Sequence, residues 1–381
     1  MRKFPVLIGI AAVLVMATTS PALAAGGWMV QYPPNPPGSI DASLDAVSCV
    51  HGAATSADCM AVGNYENPVT QITPTLAESW NGSSWTIQPT PIPSGASGAT
   101  LYDVSCTAAT FCEAVGVYGY PNGGGLPYPL AEGWNGTSWI IQPTPALGIG
   151  GVLYGVSCVS ASFCVAAGAY LNSSYVAVNV AEEWNGSTWS QMPMATPISG
   201  NLARVSCPSA QYCVAVGGNL DTGAAESVIW SNGTWSPATV PQPAGDSLTA
   251  LASVSCPSVG TCTAVGSTFD SSGTQQVVAE RWNGTAWTVQ QPINGDDGGS
   301  QLNGVSCPTT TSCTAIGNSG LTDSLAETWN GSTWTIESIP DPDGPASPNG
   351  ISCITVTSCN AVGNYFPDNG DITDTLAYLE N

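Results

Sequence analysis

The chain is nearly empty of positive charge: four Lys and Arg stand against 26 Asp and Glu in 381 residues, a formal net charge of −22. Two of the four, Arg2 and Lys3, precede an apolar run from Val6 to Met16 and the small-residue stretch Pro21-Ala22-Leu23-Ala24. That is the pattern of a secretory signal peptide over residues 1–24. Its removal leaves Arg204 and Arg281 against all 26 acids, so the mature chain, residues 25–381, carries −24. Such a surface repels phosphate backbones and anionic lipid, which excludes nucleic acid as an expected partner. It attracts cations and basic partners. Two arginines are also too few for the carboxylate clamp that sialidase chemistry requires.

Histidine occurs once, at His51, which rules out copper or zinc sites built on several imidazoles. A Ser/His/Asp triad would have to be assembled around His51 and Asp58. No apolar run after residue 24 approaches bilayer length, so membrane insertion is not expected. Helical periodicity is absent as well; the apolar runs are short and punctuated by Gly, Pro, Asn and Ser, as in an all-β protein.

What the chain has in abundance is repetition. Val47-Ser48-Cys49 recurs as Val104-Ser105-Cys106, Val156-Ser157-Cys158, Val205-Ser206-Cys207, Val254-Ser255-Cys256, Val305-Ser306-Cys307 and Ile351-Ser352-Cys353, at intervals of 46 to 57 residues. A second cysteine follows each: Cys59, Cys112, Cys164, Cys213, Cys262, Cys313 and Cys359. Five residues intervene in six copies and nine in the first. Next come a Cys-x-Ala-Val-Gly strand, a Leu-Ala-Glu-x-Trp strand, an Asn-Gly turn, and a second Trp five residues after the first (Trp80/Trp85 through Trp329/Trp334). Four strands in a unit of this length predict a β-propeller: seven blades, four antiparallel strands each, with repeats starting near 44, 101, 153, 202, 251, 302 and 348.

Kelch and WD signatures are missing. The turn Trp-Asn-Gly-x-Ser/Thr-Trp is faintly similar to the Asp-box of sialidase-like propellers, one residue short and with Asn for Asp. The whole repeat resembles the Cys-x-Ala-Val-Gly and Trp-Asn-Gly repeats of largely uncharacterised secreted bacterial propeller proteins. That resemblance spans the mature chain and implies a fold, an extracellular location and no particular activity.

The seventh unit stops at Asn381, where its first Trp is due, while Trp28-Met29-Val30-Gln31-Tyr32 matches a fourth strand without its first three. Docking residues 28–32 onto the seventh unit closes the ring and covers its edge. Labelling the strands of a unit a to d from the Val-Ser-Cys strand outward, the two cysteines of each a–b hairpin face each other across antiparallel neighbours. Consecutive pairing is therefore expected: Cys49–Cys59, Cys106–Cys112, Cys158–Cys164, Cys207–Cys213, Cys256–Cys262, Cys307–Cys313 and Cys353–Cys359. Fourteen cysteines behind an export signal fit an oxidising compartment.

The other recurring residues read as structural. The constant Trp spacing places the rings across the c–d hairpin, for blade-to-blade packing. Glu78, Glu132, Glu182, Glu280 and Glu327 share a face with those Trps, and two arginines cannot pair with them. Backbone or indole N–H partners are expected for them, with an interblade cation as the alternative. The Val-Ser-Cys serines should ring the axis. Asn81, Asn135, Asn185, Asn232, Asn283 and Asn330 form sequons that coincide with tight-turn dipeptides.

The a–b and c–d turns share one face of the disc and are short and uniform. The b–c and d–a loops share the other and vary, which makes that face the expected working surface. Its candidate ligand residues are Tyr65, Tyr118, Tyr120, Tyr170, Asp221, Asp270, Asp323 and Tyr365. Asp368, Asp371 and Asp374 space oxygens around Gly370 as a calcium loop does, without a downstream bidentate Glu. No other cofactor is expected. The reading is an extracellular, monomeric, non-catalytic module that binds carbohydrate, peptide or protein. The alternatives are a carbohydrate-active hydrolase or lyase with two acids near the axis, and a structural cell-surface component.

Overall fold

The computed structural model describes residues 27–51, 57–121, 126–194, 199–219, 222–295, 298–320, 323–367, 370 and 372–380. Among these residues the chain forms seven antiparallel four-stranded sheets and no α-helix. Blade 1 comprises strands a (Ile40–His51), b (Ala57–Glu66), c (Thr75–Trp80) and d (Trp85–Ile87). The inner strands of blades 2 to 7 are Gly98–Ala108, Gly150–Ser160, Asn201–Ser209, Ser247–Ser258, Ser300–Thr309 and Ala346–Thr355. Each inner strand packs against the inner strands of the blades on either side, so the seven surround an axis.

Blade 7 takes its fourth strand from the other end of the chain. Trp28–Gln31 runs antiparallel to Asp374–Glu380, in the register Trp28↔Glu380, Met29↔Leu379, Val30↔Tyr378 and Gln31↔Ala377. Trp28 is buried edge-on to the Tyr378 ring, 6.4 Å away. The ring is closed by backbone hydrogen bonds, and Thr375 adds a side-chain clasp to the Pro33 carbonyl at 3.0 Å.

The repeated motifs have direct structural causes. Every strand a carries a β-bulge one residue after its Leu, or after Pro348 in blade 7. The bulge pushes the carbonyl that precedes this Leu toward strand b. A Cβ at Gly63 would collide with the Ser43 oxygen, and Gly116, Gly168, Gly217, Gly266, Gly317 and Gly363 stand in the same relation to their own strands a. The glycine of Ala-Val-Gly is thus the residue that accommodates the bulge. One disulfide staples each a–b hairpin in the consecutive order, with Cα separations of 3.9–4.1 Å, and no described cysteine is free.

The Trps of each c–d hairpin pair directly across the strands, with ring centroids 5.6–5.9 Å apart. The core lies between blades: Ala77, Val62 and Met60 of blade 1 pack on Ala114, Leu130 and Trp134 of blade 2, and the pattern recurs around the ring.

The serines of Val-Ser-Cys join the blades in a closed circuit. Each Oγ accepts the Cys N–H of the following blade: Ser48 from Cys106, Ser105 from Cys158, Ser157 from Cys207, Ser206 from Cys256, Ser255 from Cys307 and Ser306 from Cys353. Ser352 accepts from Cys49 and completes the circle, all seven bonds measuring 2.9–3.0 Å. These hydroxyls satisfy buried edge donors that the next blade cannot satisfy itself.

Candidate functional site: the axial mouth and the loop face

Inside the frame Leu-x-x-Val-Ser-Cys, which blade 7 carries as Pro-x-x-Ile-Ser-Cys, the two x positions are where the repeat ceases to repeat. The first is the unpaired bulge residue: Asp45, Tyr102, Tyr154, Ala203, Ala252, Asn303 and Asn349 in blades 1 to 7. Structural equivalence sets these seven residues at one level around the axis. They divide into an acceptor sector on blades 6, 7 and 1, an aromatic sector on blades 2 and 3, and an alanine gap on blades 4 and 5. A cavity of about 230 Å³ runs along the axis, lined by Asp103, Arg204, Asn303 and Asn349 and, deeper, by Ser105, Ser206 and Ser352 of the serine circuit.

Arg204 organises the aromatic side. Its Nη1 donates to the carbonyls of Tyr154 (2.8 Å) and Ala203 (3.0 Å), and its Nη2 to the carbonyl of Tyr102 (3.2 Å). Its Nε stands 3.8 Å from Asp103 Oδ2. Asp103 Oδ1 accepts the Val104 N–H and Oδ2 accepts the Val156 N–H of the next blade. Burial raises the Asp103 carboxyl above its ordinary value, opposed by Arg204 and these two N–H groups. The rings of Tyr102 and Tyr154 lie 5.5 Å apart at 33°.

On the acceptor side, Asn303 Nδ2 donates to the Pro348 carbonyl and to Asn318 Oδ1, and Asn349 Nδ2 donates to the Leu44 carbonyl. Both amides therefore keep their oxygens free. Asp45 Oδ1 accepts the Ser43 hydroxyl at 3.0 Å. Burial pushes the Asp45 carboxyl up to about 6, with Ser43 and Arg204 opposing. Apart from the serines, none of these axial residues was anticipated from the sequence. The signal was present, because two positions vary inside an otherwise repetitive strand.

The anticipated loop residues are spread around the same face. Tyr118, Tyr120 and Tyr128 of blade 2 form a three-ring cluster with centroids 5.5–5.6 Å apart, and Tyr120 is the exposed member. Tyr65 packs half-buried on the core between blades 1 and 7, and Tyr170 borders a groove with Asn179, Met192 and Met194. Tyr365 contacts Tyr32 at 5.2 Å. Asp270 is occupied with its own turn: Oδ1 accepts the N–H groups of Ser272 and Thr274 and the Ser272 hydroxyl, whose bond holds the carboxyl below its ordinary value. Asp323 opens strand c of blade 6 (Asp323–Trp329) opposite Ser319. Asp374 pairs with Tyr365 in the ladder, and burial raises its carboxyl. Asp221, Asp368 and Asp371, and the side chain of His51, lie outside the described residues. Among the described residues no three His, Cys, Asp or Glu converge as metal ligands.

The interblade glutamates correct the expectation of N–H partners. All five are fully buried, yet only Glu327 has one, accepting the Ile293 N–H from the preceding blade at 2.9 Å. Both oxygens of Glu78, Glu132, Glu182 and Glu280 are without a partner. The reason is readable in the repeat. Ile293 lies six residues after the strand-d Trp of blade 5; the same position in the blades preceding the other four glutamates is Pro34, Pro91, Pro145 and Pro241. Proline has no N–H to offer. Burial pushes the four carboxyls up to about 8, and Glu327, with its donor, to about 7. Burial thus disfavours the ionised form at all five, least at Glu327.

No family model matches the chain, and no curated protein matches it. Solved structures do. A structure described as YCF48 bound to D1 peptide matches over 95% of this chain and 97% of its own, at 15% identity and a TM-score of 0.56. YCF48 from Cyanidioschyzon merolae matches over 93% and 98%, at 13% identity and a TM-score of 0.52. A microbial sialidase, Hz136, is similar over 87% of this chain and 65% of its own, at 10% identity and a TM-score of 0.49. At these identities the likeness is one of fold.

Proposed function

We propose that the chain is an extracellular, non-catalytic binding propeller that receives its ligand on the loop face, at and around the axial mouth. The observation that carries this reading is the ring of seven bulge residues. The frame around them is constant in six blades and changes only to Pro348 and Ile351 in the seventh, while the ring itself changes from acid to phenol to methyl to amide. Scaffold positions are held constant by packing; positions that vary around a preformed opening are free to be fitted to a ligand. One asymmetric site suits a single ligand better than seven equivalent ones would. A peptide is a ligand that this fold carries in the YCF48 structure.

The hydrolase reading needs two free carboxyls across a substrate. Near the axis stand Asp45 and Asp103, and Asp103 has both oxygens committed to backbone N–H groups. That leaves one acid, enough for recognition and too few for paired acid–base work. Seven stapled hairpins and the export-type N-terminus support an extracellular site of action.

The mature protein, screened on peptide and glycan arrays, is expected to retain a ligand without turning it over, and Tyr154→Ala is expected to weaken retention. Release of a cleaved product that stops with Asp45→Asn would replace this reading with the catalytic one.

A further inference from the structure

We propose that the axial mouth is a receptor for a protonated lysine side chain presented by a peptide or protein partner. The inference rests on the binding function above and names the chemistry of that site. It starts from which hydrogen-bonding capacity the ring leaves unused. Asn303 spends both amide N–H groups, on the Pro348 carbonyl and Asn318 Oδ1, and Asn349 spends one, on the Leu44 carbonyl; the oxygen of each is left as an acceptor. Asp45 engages one oxygen with Ser43 and keeps the other. Three acceptors thus stand on three consecutive blades at one level. A lysine ammonium carries three N–H donors and no acceptor, which matches this set in number and sense.

The remainder of the ring fits the rest of that side chain. Tyr102 and Tyr154 present two neighbouring ring systems, a surface on which a tetramethylene stem packs and over which an ammonium is attracted. Ala203 and Ala252 leave the opposite side open for the backbone of the incoming chain. Arg204 does not compete for the acceptors, because the carbonyls of Tyr102, Tyr154 and Ala203 hold its guanidinium. The local charge favours a cation: Asp45 and Asp103 against one arginine, within a mature chain of two basic and 26 acidic residues.

The test is titration calorimetry on the mature protein at low ionic strength. The probes are the peptide acetyl-Gly-Gly-Lys-Gly-Gly-amide, its Nε-acetyl-lysine counterpart, and glucosamine. The lysine peptide is expected to bind. Acetylation, which removes the charge and two donors, is expected to weaken binding at least tenfold on the unaltered protein, independently of any variant. Asp45→Asn and Asn349→Leu, with unchanged melting temperatures, are each expected to weaken it about tenfold, while Ile336→Thr, exposed on the outer strand Trp334–Glu337 of blade 6, leaves it intact. Equal binding of the acetylated peptide, a preference for glucosamine, or no binding of the lysine peptide would each overturn the assignment. If array ligands bind through the Tyr118–Tyr120–Tyr128 cluster while the lysine peptide does not, the lysine assignment fails and the binding function stands.

Discussion

Ser352 Oγ accepts the backbone N–H of Cys49 at 3.0 Å, joining the last blade to the first across 303 positions of sequence. The bond is the seventh in a circuit whose other six link consecutive blades, so the final contact of the ring is chemically identical to the rest. At this junction the hydroxyl works together with the Trp28–Gln31 strand. Ser352→Ala leaves the Cys49 N–H without its acceptor, at a cost of about 1–3 kcal/mol. The expected outcome is a lower melting temperature than wild type and earlier amide exchange in blades 1 and 7 than in blades 3 to 5. Uniform exchange across the blades would contradict a closure role.

The closing strand itself should matter more than any single bond within it. Deleting residues through Tyr32 uncovers strand c of blade 7, a buried ladder ending in Tyr378 and Glu380. An exposed edge of that kind pairs with other chains. The truncated protein is expected to elute as oligomers on size-exclusion chromatography, and the intact mature chain as one smaller species.

These two features differ in how far they could be foreseen. The closing strand was visible because Trp28 is the one Trp without a partner in its own unit, and consecutive cysteine pairing because each pair brackets one short turn. The axial site was not visible, since alternation alone cannot say that the residue after Leu44 or Leu101 is a bulge. A bulge removes a residue from the ladder and turns it toward the axis, and the glycine that accommodates it stands on the facing strand, well outside the local pattern, as Gly116 does for Leu101 and Tyr102. The glutamates misled for a related reason. A buried acid normally implies a donor, and the donor here is removed by prolines in the preceding unit, outside the window over which local patterns are read.

The glutamates make stability depend on pH in an unusual direction. Glu78, Glu132, Glu182 and Glu280 have carboxyls raised from 4.5 to about 8 in the fold. Between those values the unfolded chain has released its protons and the folded chain still holds them, so stability falls as pH rises. Each acid contributes a slope of about 1.4 kcal/mol per pH unit in that window. The melting temperature is expected to be higher at pH 5 than at pH 8. Glu132→Gln, which keeps the shape and cannot ionise, is expected to narrow the difference by raising the value at pH 8. A profile that rises toward pH 8 would show that these groups ionise in the fold.

The seam between blades 1 and 2 holds unfilled volume that offers a route to stabilisation. The residue preceding the second cysteine is Phe111, Phe163 and Tyr212 in blades 2, 3 and 4, and each ring packs against the core of the following blade. In blade 1 the same position is Asp58, and the seam with blade 2 contains a cavity of about 250 Å³ bordered by Asp58, Met60, Trp80 and Trp134. A ring fits this position in three other blades, so the backbone geometry is already suitable. Asp58→Phe would replace a carboxylate with apolar surface over two Trp rings, for a gain of about 1–2 kcal/mol. The expected result is a higher melting temperature by differential scanning calorimetry, with ligand binding at the opposite face unchanged. A fall in melting temperature with intact disulfides would mean that the carboxylate has a stabilising role in the seam that outweighs the empty volume.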